Sequence, residues 1–344
     1  MTCYSCFSVC FWLLLALAAC AAKASPAMAD ETPAAAATPA PQLSSGAARV
    51  NYYRRLVSLP GITVDQKLDD GAAKHARYVL ENHLAPVDFT WSDGRLKAYQ
   101  PAEGVHKEDK NNRWYTPEGA RAAVLSDVFA SATIPADGGV TIDQFMTSPV
   151  NALATLDFEQ SLLGFGSFCK SGDCIAVAAI GMGLPLFQVD VYFNRDEGHL
   201  WFKSPLEFPP PGTDLPARPL ADFGYLDALT ACPGYTHPAG APILLSLGQP
   251  LGLPFDMSHA VHVSAHSLSD GGQPVEHCAF DTMGYANPDA KQRLLFRVWL
   301  NRALAVVMIP RKPLEPGHTY DVSMTVESKT YKWSFKTAPA AAAK

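Results

Sequence analysis

Residues 161–182 read SLLGFGSFCKSGDCIAVAAIGM, two apolar runs on either side of the short polar turn KSGD. Cys169 and Cys174 flank this turn, and a β-hairpin would hold the two side chains opposite each other. The stretch therefore predicts a β-hairpin closed by a Cys169–Cys174 disulfide.

Four helical segments precede this hairpin, as judged from apolar spacings of three and four and from capping residues. In the second, His75 lies on the apolar stripe, and Asp65 or Thr63 is the N-cap. The third opens with Thr116 as N-cap and Pro117 at its first position. The predicted segments begin at Asn51 and then cover about 64–84, 116–131 and about 141–146.

The second half is predicted to be all β. Residues 204–220 hold six prolines, which is typical of a stiff linker. Beyond them, short runs alternate with turn residues, a pattern that favours a β-sandwich. The predicted strands are 187–193 before the linker and 243–247, 260–268, 293–300, 304–310, 319–326 and 330–336 after it. The predicted fold class is α+β.

The first twenty residues are predicted to direct export. Residues 1–19 contain no charged side chain, and the apolar run 11–19 is too short to span a bilayer permanently. Leu17-Ala18-Ala19 before Cys20 resembles the lipobox of bacterial lipoproteins, which implies that acylated Cys20 anchors the mature chain to a lipid membrane. The alternative is cleavage near Ala22 or residues 27–29, with Cys20 discarded.

Composition supports an exported, packed protein. Residues 21–47 are rich in Ala, Pro, Thr and Ser and are predicted to be a disordered tether. Four cysteines follow the tether, and an even number in an oxidising compartment favours disulfides Cys169–Cys174 and Cys232–Cys278 over a four-cysteine zinc site. The net charge of −6 gives no basic footprint for nucleic acid. The expected location is the periplasm or the cell surface, on the outer membrane.

Several pieces of the first half occur in the order found in the CAP (SCP/PR-1-like) superfamily. They are Asn51-Tyr52-Tyr53-Arg54, the run LDDGAAKHARYVLEN from Leu68, His106, residues 115–119 (YTPEG), residues 145–149 (FMTSP) and residues 163–166 (LGFG). Residues 48–205 therefore resemble a CAP domain, which implies a secreted, disulfide-bonded α-β-α sandwich.

The second half is similar to an immunoglobulin-like module of bacterial surface proteins. The similarity rests on Pro313-Leu314, Pro316-Gly317, Thr319-Tyr320 and residues 333–337 (WSFKT). It implies an all-β sandwich over residues 238–338, with 206–237 as the Pro-rich linker. A fold of this kind indicates architecture and not activity.

The CAP resemblance implies a cleft of two His and two acids that sometimes holds a divalent metal. His106 and Glu118 match two of these positions, Asp143 is nearest to the second acid, and Asn151 stands where the second His is expected. The metal set therefore needs His75 or His83 as a substitute. The structural alternative makes His75 a hydrogen-bonded core residue and Glu118 a first-turn acid on its helix.

A second group of histidines, His259, His262 and His266, carries no shared metal site. On one strand, His262 and His266 would lie roughly 13 Å apart at about 3.3 Å per residue. We therefore do not expect one ion to join them.

The expected function is binding or surface interaction by an anchored lipoprotein, with a cell-surface or small-molecule ligand and no catalytic residue or cofactor assigned. One alternative is a metal-dependent hydrolase of cell-wall or protein substrates that uses His106, Glu118 and a third ligand. Another is carriage of an apolar ligand, which the CAP resemblance permits. The chain contains no nucleophile-elbow, Walker or HExxH motif.

Overall fold

The computed structural model describes eight ranges of the chain. These are residues 45–84, 105–131, 138–157, 160–182, 191–194, 199–221, 226–250 and 260–340. The predicted signal, Cys20 and residues 21–44 of the predicted tether lie outside them. Within these ranges, no helix combines the length and the apolar character that a membrane span requires.

The described residues combine helices with mixed β-sheets, so the fold is α+β, as predicted. The helices are α1 (Ser45–Leu56), α2 (Gln66–Glu81), α3 (Pro117–Leu125), α4 (Gly138–Phe145), α5 (Pro149–Thr155) and α6 (Ala290–Arg302). The strands of the first half are β1 (Thr63–Val64), β2 (Ser126–Ser131), β3 (Gln160–Lys170), β4 (Asp173–Met182) and β5 (Val191–Asn194). Those that follow are β6 (His199–Phe208), β7 (Asp214–Leu215), β8 (Ile243–Pro250), β9 (Val263–Asp270), β10 (Gln273–Pro274), β11 (His277–Phe280), β12 (Ala305–Pro310), β13 (Thr319–Val326) and β14 (Lys329–Thr337).

Helix α1 begins earlier than predicted. Its first residue, Ser45, falls inside the segment predicted as a tether and precedes the predicted start at Asn51. The reason is burial, since Ala47 and Val50 are both almost fully buried in the core. Small and β-branched residues at this spacing gain more from packing than the segment's polar composition suggested.

Buried Arg54 ties α1 to two later segments. Its Nε donates to the carbonyl of Pro60 at 2.8 Å, and Nη1 donates to those of Thr155 and Asp157 at 3.0 and 2.7 Å. Nη2 donates to the carbonyl of Gln160 at 3.0 Å. Burial lowers the pKa of Arg54 to about 10, and the neighbouring Asp157 opposes that shift. The side chain therefore stays charged and holds the chain between α5 and β3 in place.

Helix α2 follows its predicted cap and stripe. Asp65 is the N-cap, and its side chain accepts a hydrogen bond from the N–H of Lys67 at 2.8 Å. The helix ends at Glu81, three residues before the predicted end. Its buried residues are Leu68, Gly71, Ala72, His75, Ala76, Tyr78, Val79 and Leu80.

The β3–β4 hairpin forms as predicted, and α2 packs directly on it. Cys169 lies opposite Cys174 in the antiparallel register. A Cβ atom built on Gly164 would lie 2.2 Å from the backbone of Leu68, and one on Gly166 would lie 2.1 Å from the backbone N of Ala73. Only glycine permits this approach of helix and strand.

Both predicted disulfides are present. Cys169 bonds Cys174 with a Cα–Cα distance of 4.1 Å, and Cys232 bonds Cys278 at 5.7 Å. The prediction of two bridges is confirmed, and the alternative four-cysteine zinc site is wrong because each sulfur is already bonded to its partner.

Helix α3 is shorter than predicted. Its N-cap is as expected, since Thr116 Oγ1 accepts the N–H of Gly119 at 2.9 Å. The helix ends at Leu125, however, and residues 126–131 form strand β2 instead of continuing the helix. Strand β2 pairs with β4 and completes a sheet of order β1-β3-β4-β2. The open edge of β4 supplies ladder hydrogen bonds that outweigh the local helical preference.

Strands β5 to β14 form two five-stranded sheets. Their strand orders are β10-β9-β13-β14-β7 and β11-β12-β8-β6-β5. Their facing sides share one apolar core, which includes Leu245 and Met308 from one sheet and Val322, Trp333 and Phe335 from the other. The predicted strands at 243–247, 304–310, 319–326 and 330–336 all occur.

The predicted strand at 293–300 is wrong, because these residues belong to helix α6. Asp289 caps the helix, and its side chain accepts from the N–H groups of Lys291 and Gln292. Phe296 and Leu300, four residues apart, are fully buried on its inner side. An i, i+4 spacing suits a helix, whereas a strand would alternate its buried residues.

The segment between the halves contributes to the core. Strand β6 spans residue 205, where the CAP-like region was predicted to end, and pairs with β8. Within residues 206–237, predicted as a linker, Leu215, Leu220 and Leu229 are buried, and Ala228–Ala231 form a short 3-10 helix. Apolar residues between the prolines anchor this segment to the folded protein.

Candidate functional site

His75, predicted as a metal ligand or a core residue, is fully buried and bonded at both ring nitrogens. Nδ1 lies 3.0 Å from Glu108 Oε1, and Nε2 lies 2.6 Å from the carbonyl oxygen of Val105. Because a carbonyl oxygen only accepts, Nε2 carries a proton. Neither nitrogen is left for a metal, and the core alternative describes this residue.

Glu108 connects His75 to the start of α3. Its side chain is fully buried, and Oε2 accepts the N–H of Thr116 at 3.1 Å. The carboxyl group therefore lies where the helix leaves its first N–H groups unpaired. This pair of side chains joins α2, the segment after Val105 and α3.

Glu118 and His106 lie on the surface. The Glu118 carboxylate pairs with Lys74 at 3.1 Å, and its own backbone N–H, followed by Lys74, lowers the pKa of Glu118. His106 is exposed. His75 is buried and bonded elsewhere, so these three residues do not form a common site. In the described parts of the chain, no group of three His, Cys, Asp or Glu residues could hold a metal ion.

The candidate site is a cleft between the helical layer and the two five-stranded sheets. The empty space there amounts to about 550 Å³, a figure that includes open solvent at its mouth. Several separate parts of the chain meet there, namely α1, α4 with the turn after it, the segment after β6, and strands of both sheets. The lining residues are Tyr53, Asp143, Met146, Thr147, Phe208, Pro209, Leu215, Pro216, Ala217, Arg218, Ala241, Pro242, Ile243, Leu314, Phe335 and Thr337.

One carboxylate at the cleft meets two guanidinium groups. Asp143, nearest to the second acid of the CAP pattern, is mostly buried. Its Oδ2 accepts from Arg218 Nη2 at 3.0 Å, while Oδ1 lies 3.3 Å from Arg49 Nε and accepts the Tyr53 hydroxyl at 2.8 Å. Burial, followed by the charge of Asp143, raises the pKa of Tyr53, so the phenol stays protonated and donates. Two arginines, one carboxylate and a neutral phenol therefore give this cluster one surplus positive charge.

Arg218 has donor capacity that the described residues do not use. Its Nε is buried and has no hydrogen-bond acceptor among them, although Nη2 is bonded to Asp143. Nε–H and Nη2–H lie on one edge of the guanidinium and together suit an oxygen anion. The surrounding walls are apolar, with Met146, Phe208 and Leu314 among them. Nε is enclosed in the structure, so an anionic oxygen could reach it only after the side chains around it move.

Two members of this site were noted through the CAP resemblance. They are Tyr53, within the quoted run from Asn51 to Arg54, and Asp143, whereas Arg49 and Arg218 were not singled out. Arg218 lies in the proline-rich segment that was interpreted as a linker. An arginine between prolines, with apolar residues nearby, was the available signal for a folded segment.

Comparisons with known proteins identify no family for this chain. No protein-family model matches it, and no curated protein matches it.

Proposed function

We propose that this chain is an exported, membrane-anchored lipoprotein that binds a small ligand in the Asp143–Arg218 cleft. The ligand carries one anionic oxygen group next to an apolar body. The observation that carries this proposal is the charge surplus at the cleft, where Arg49 and Arg218 meet one carboxylate and Arg218 Nε has no acceptor among the described residues. A buried donor without an acceptor is costly, and a ligand oxygen would satisfy it.

The architecture proposed for this lipoprotein is a CAP-like α-β-α sandwich followed by an immunoglobulin-like sandwich. The close packing of α2 on the β3–β4 hairpin at Gly164 and Gly166 supports the first part. The apolar core shared by the two five-stranded sheets supports the second.

Export is supported by the two disulfides, because such bonds persist in oxidising compartments. In this proposal the protein lies in the periplasm or at the cell surface, with acylated Cys20 in the outer membrane and residues 21–44 as a tether. Labelled palmitate should be incorporated into the wild type and not into Cys20→Ala.

Binding is favoured over metal-dependent hydrolysis. That hydrolase would use His106, Glu118 and a third ligand, and both nitrogens of His75 are occupied by Val105 and Glu108. A wholly apolar cargo fits less well than an anionic one, because it would leave the surplus guanidinium charge without a second carboxylate among the described residues.

The proposal is tested with pairs of small ligands that differ only in charge. Benzoate and hexanoate should bind to the full chain in calorimetric titrations, and benzamide and hexanamide should bind at least about tenfold more weakly, the effect of roughly 1.4 kcal/mol. Arg218→Met should remove this preference. Arg218→Lys keeps the positive charge and loses the Nε donor. This variant should therefore retain part of the preference for acids over amides.

Exposed Arg121 on α3 provides the matched control. Arg121→Met should bind benzoate like the wild type. Equal binding of acids and amides, or equal losses in Arg218→Met and Arg121→Met, would contradict the proposal.

A further inference from the structure

Two histidines meet where the two five-stranded sheets approach each other. His266 lies on β9, and His277 is the first residue of β11, an edge strand of the other sheet. His266 Nδ1 lies 2.9 Å from His277 Nε2, and the rings are 5.0 Å apart at an angle of 73°. His266 is exposed and His277 is half-buried, so solvent ions can reach the pair.

His277 is already oriented in the way that metal-binding histidines are. Its Nδ1 lies 2.7 Å from the backbone carbonyl oxygen of Val275 and must donate to it. In neutral His277, Nε2 therefore presents a lone pair towards His266. Ligating histidines usually donate their second nitrogen to a carbonyl or carboxylate in this manner, which fixes the tautomer.

His266 can supply the second lone pair. A neutral imidazole has a proton on one ring nitrogen and a lone pair on the other. Without an ion, Nδ1 donates its proton to His277 Nε2. When the proton moves to His266 Nε2, the other ring nitrogen, Nδ1 is free to coordinate, and no proton needs to leave the protein.

The choice of ion follows from the ligand type. The 2.9 Å separation of the two nitrogens is a hydrogen-bond distance, so one ring must turn before a single ion can reach both lone pairs. Cu²⁺ and Ni²⁺ bind imidazole nitrogen strongly, and water can fill their remaining positions. The exposed His266 ring can turn to direct its lone pair at such an ion.

We propose that His266 and His277 form a two-histidine binding site for a late first-row divalent metal ion, with water completing the coordination. This site is separate from the Asp143–Arg218 cleft and does not depend on the function proposed for that cleft. Imidazole nitrogen is the ligand type that these ions prefer.

The test uses Ni²⁺ alone and the full chain without a polyhistidine tag. Calorimetric titration should detect a site in the wild type that is weakened at least about tenfold in His266→Gln and in His277→Ala, as expected when a metal site loses a ligand. Ni²⁺ should also raise the unfolding temperature of the wild type and not that of the variants. The wild type and all variants contain the same N-terminal cysteines. A difference in Ni²⁺ binding between them therefore reports on His266 and His277 alone.

His262→Ala is the matched control. His262 lies four residues before His266 in the sequence and is 74% exposed, and its Nδ1 contacts Asp281 instead of a histidine. This variant should bind Ni²⁺ like the wild type. The proposal is overturned if His266→Gln binds Ni²⁺ as tightly as the wild type, if His262→Ala loses binding equally, or if Ni²⁺ does not change the unfolding temperature of the wild type.

Discussion

The His75–Glu108 pair shares a proton inside the protein. His75 Nε2 must donate to Val105, so Nδ1 either donates as imidazolium to a carboxylate or accepts from a protonated Glu108. In both arrangements the pair has no net charge, which makes full burial tolerable. Its role is therefore to hold α2, the following segment and α3 together.

Two substitutions at Glu108 should show whether stability depends on the hydrogen bonds of this side chain or on its charge. Glu108→Gln can donate to His75 Nδ1 and accept the N–H of Thr116, so we expect a loss of less than about 1 kcal/mol in unfolding free energy. Glu108→Ala leaves both groups without their partner and should cost about 2–4 kcal/mol. Urea denaturation measures both. Exposed Glu118→Ala, which loses the surface pair with Lys74 and the contact with its own backbone N–H, should change the midpoint far less than Glu108→Ala does.

Single residues also show why the sequence located so little of the candidate site. His75, Glu118 and His106 attracted attention because their side chains can bind metals. The cleft instead depends on Arg49, Asp143 and Arg218, which converge from distant parts of the chain. Ordinary arginines without a local motif become recognisable only when the fold brings them to one carboxylate.

Among the elements, those specified by local signals were predicted well. Asp65 and Thr116 cap their helices by bonds to residues two or three positions ahead, and the KSGD turn brings its two cysteines together. Residues 126–131 and helix α6 were predicted wrongly. Residues 126–131 form a strand because the edge of β4 is available for pairing. Residues 290–302 form a helix because Phe296 and Leu300 pack into the core. A short window of sequence shows neither contact.

The contact between α2 and β3 should make stability depend on pH. Asp69 on α2 accepts the N–H of Phe165 on β3 at 2.7 Å. Desolvation raises the pKa of Asp69, a shift that this hydrogen bond opposes and the charges of Asp70 and Asp65 reinforce. The folded protein therefore holds the proton to a higher pH than the unfolded chain does. In that window, which starts near the unfolded value of about 3.9, this group makes unfolding free energy fall as pH rises.

Asp69→Asn keeps an oxygen for the Phe165 N–H and cannot ionise. Urea denaturation between pH 4 and 7 should show a smaller decline of unfolding free energy with rising pH in this variant than in the wild type. Asp214→Asn, an exposed carboxyl on β7, should retain the wild-type decline. A variant Asp69→Asn whose pH profile parallels the wild type would show that the α2–β3 contact does not hold this proton.

At the scale of the whole molecule, the segment from β6 to Cys232 joins the two halves. Strand β6 pairs with β8, the leucines after it are buried, and Arg218 from the same segment pairs with Asp143 of α4. The proposed binding cleft therefore exists only when the helical layer and the sheets are folded together. The high proline content of this segment favoured a linker between two separate halves. The apolar residues between the prolines, which pack into the core, were not considered in that prediction.

The two disulfides should contribute unequally to the stability of this assembly. Cys169 and Cys174 are 5 residues apart, whereas Cys232 and Cys278 are 46 apart and connect the 3-10 helix to β11. The loop-entropy relation gives about 2 kcal/mol for the short bridge and about 4 kcal/mol for the long one. The double variant C232A/C278A should therefore lose about twice as much unfolding free energy in urea as C169A/C174A. Equal losses, or a larger loss in C169A/C174A, would show that strain or residual structure outweighs the closure of the longer loop.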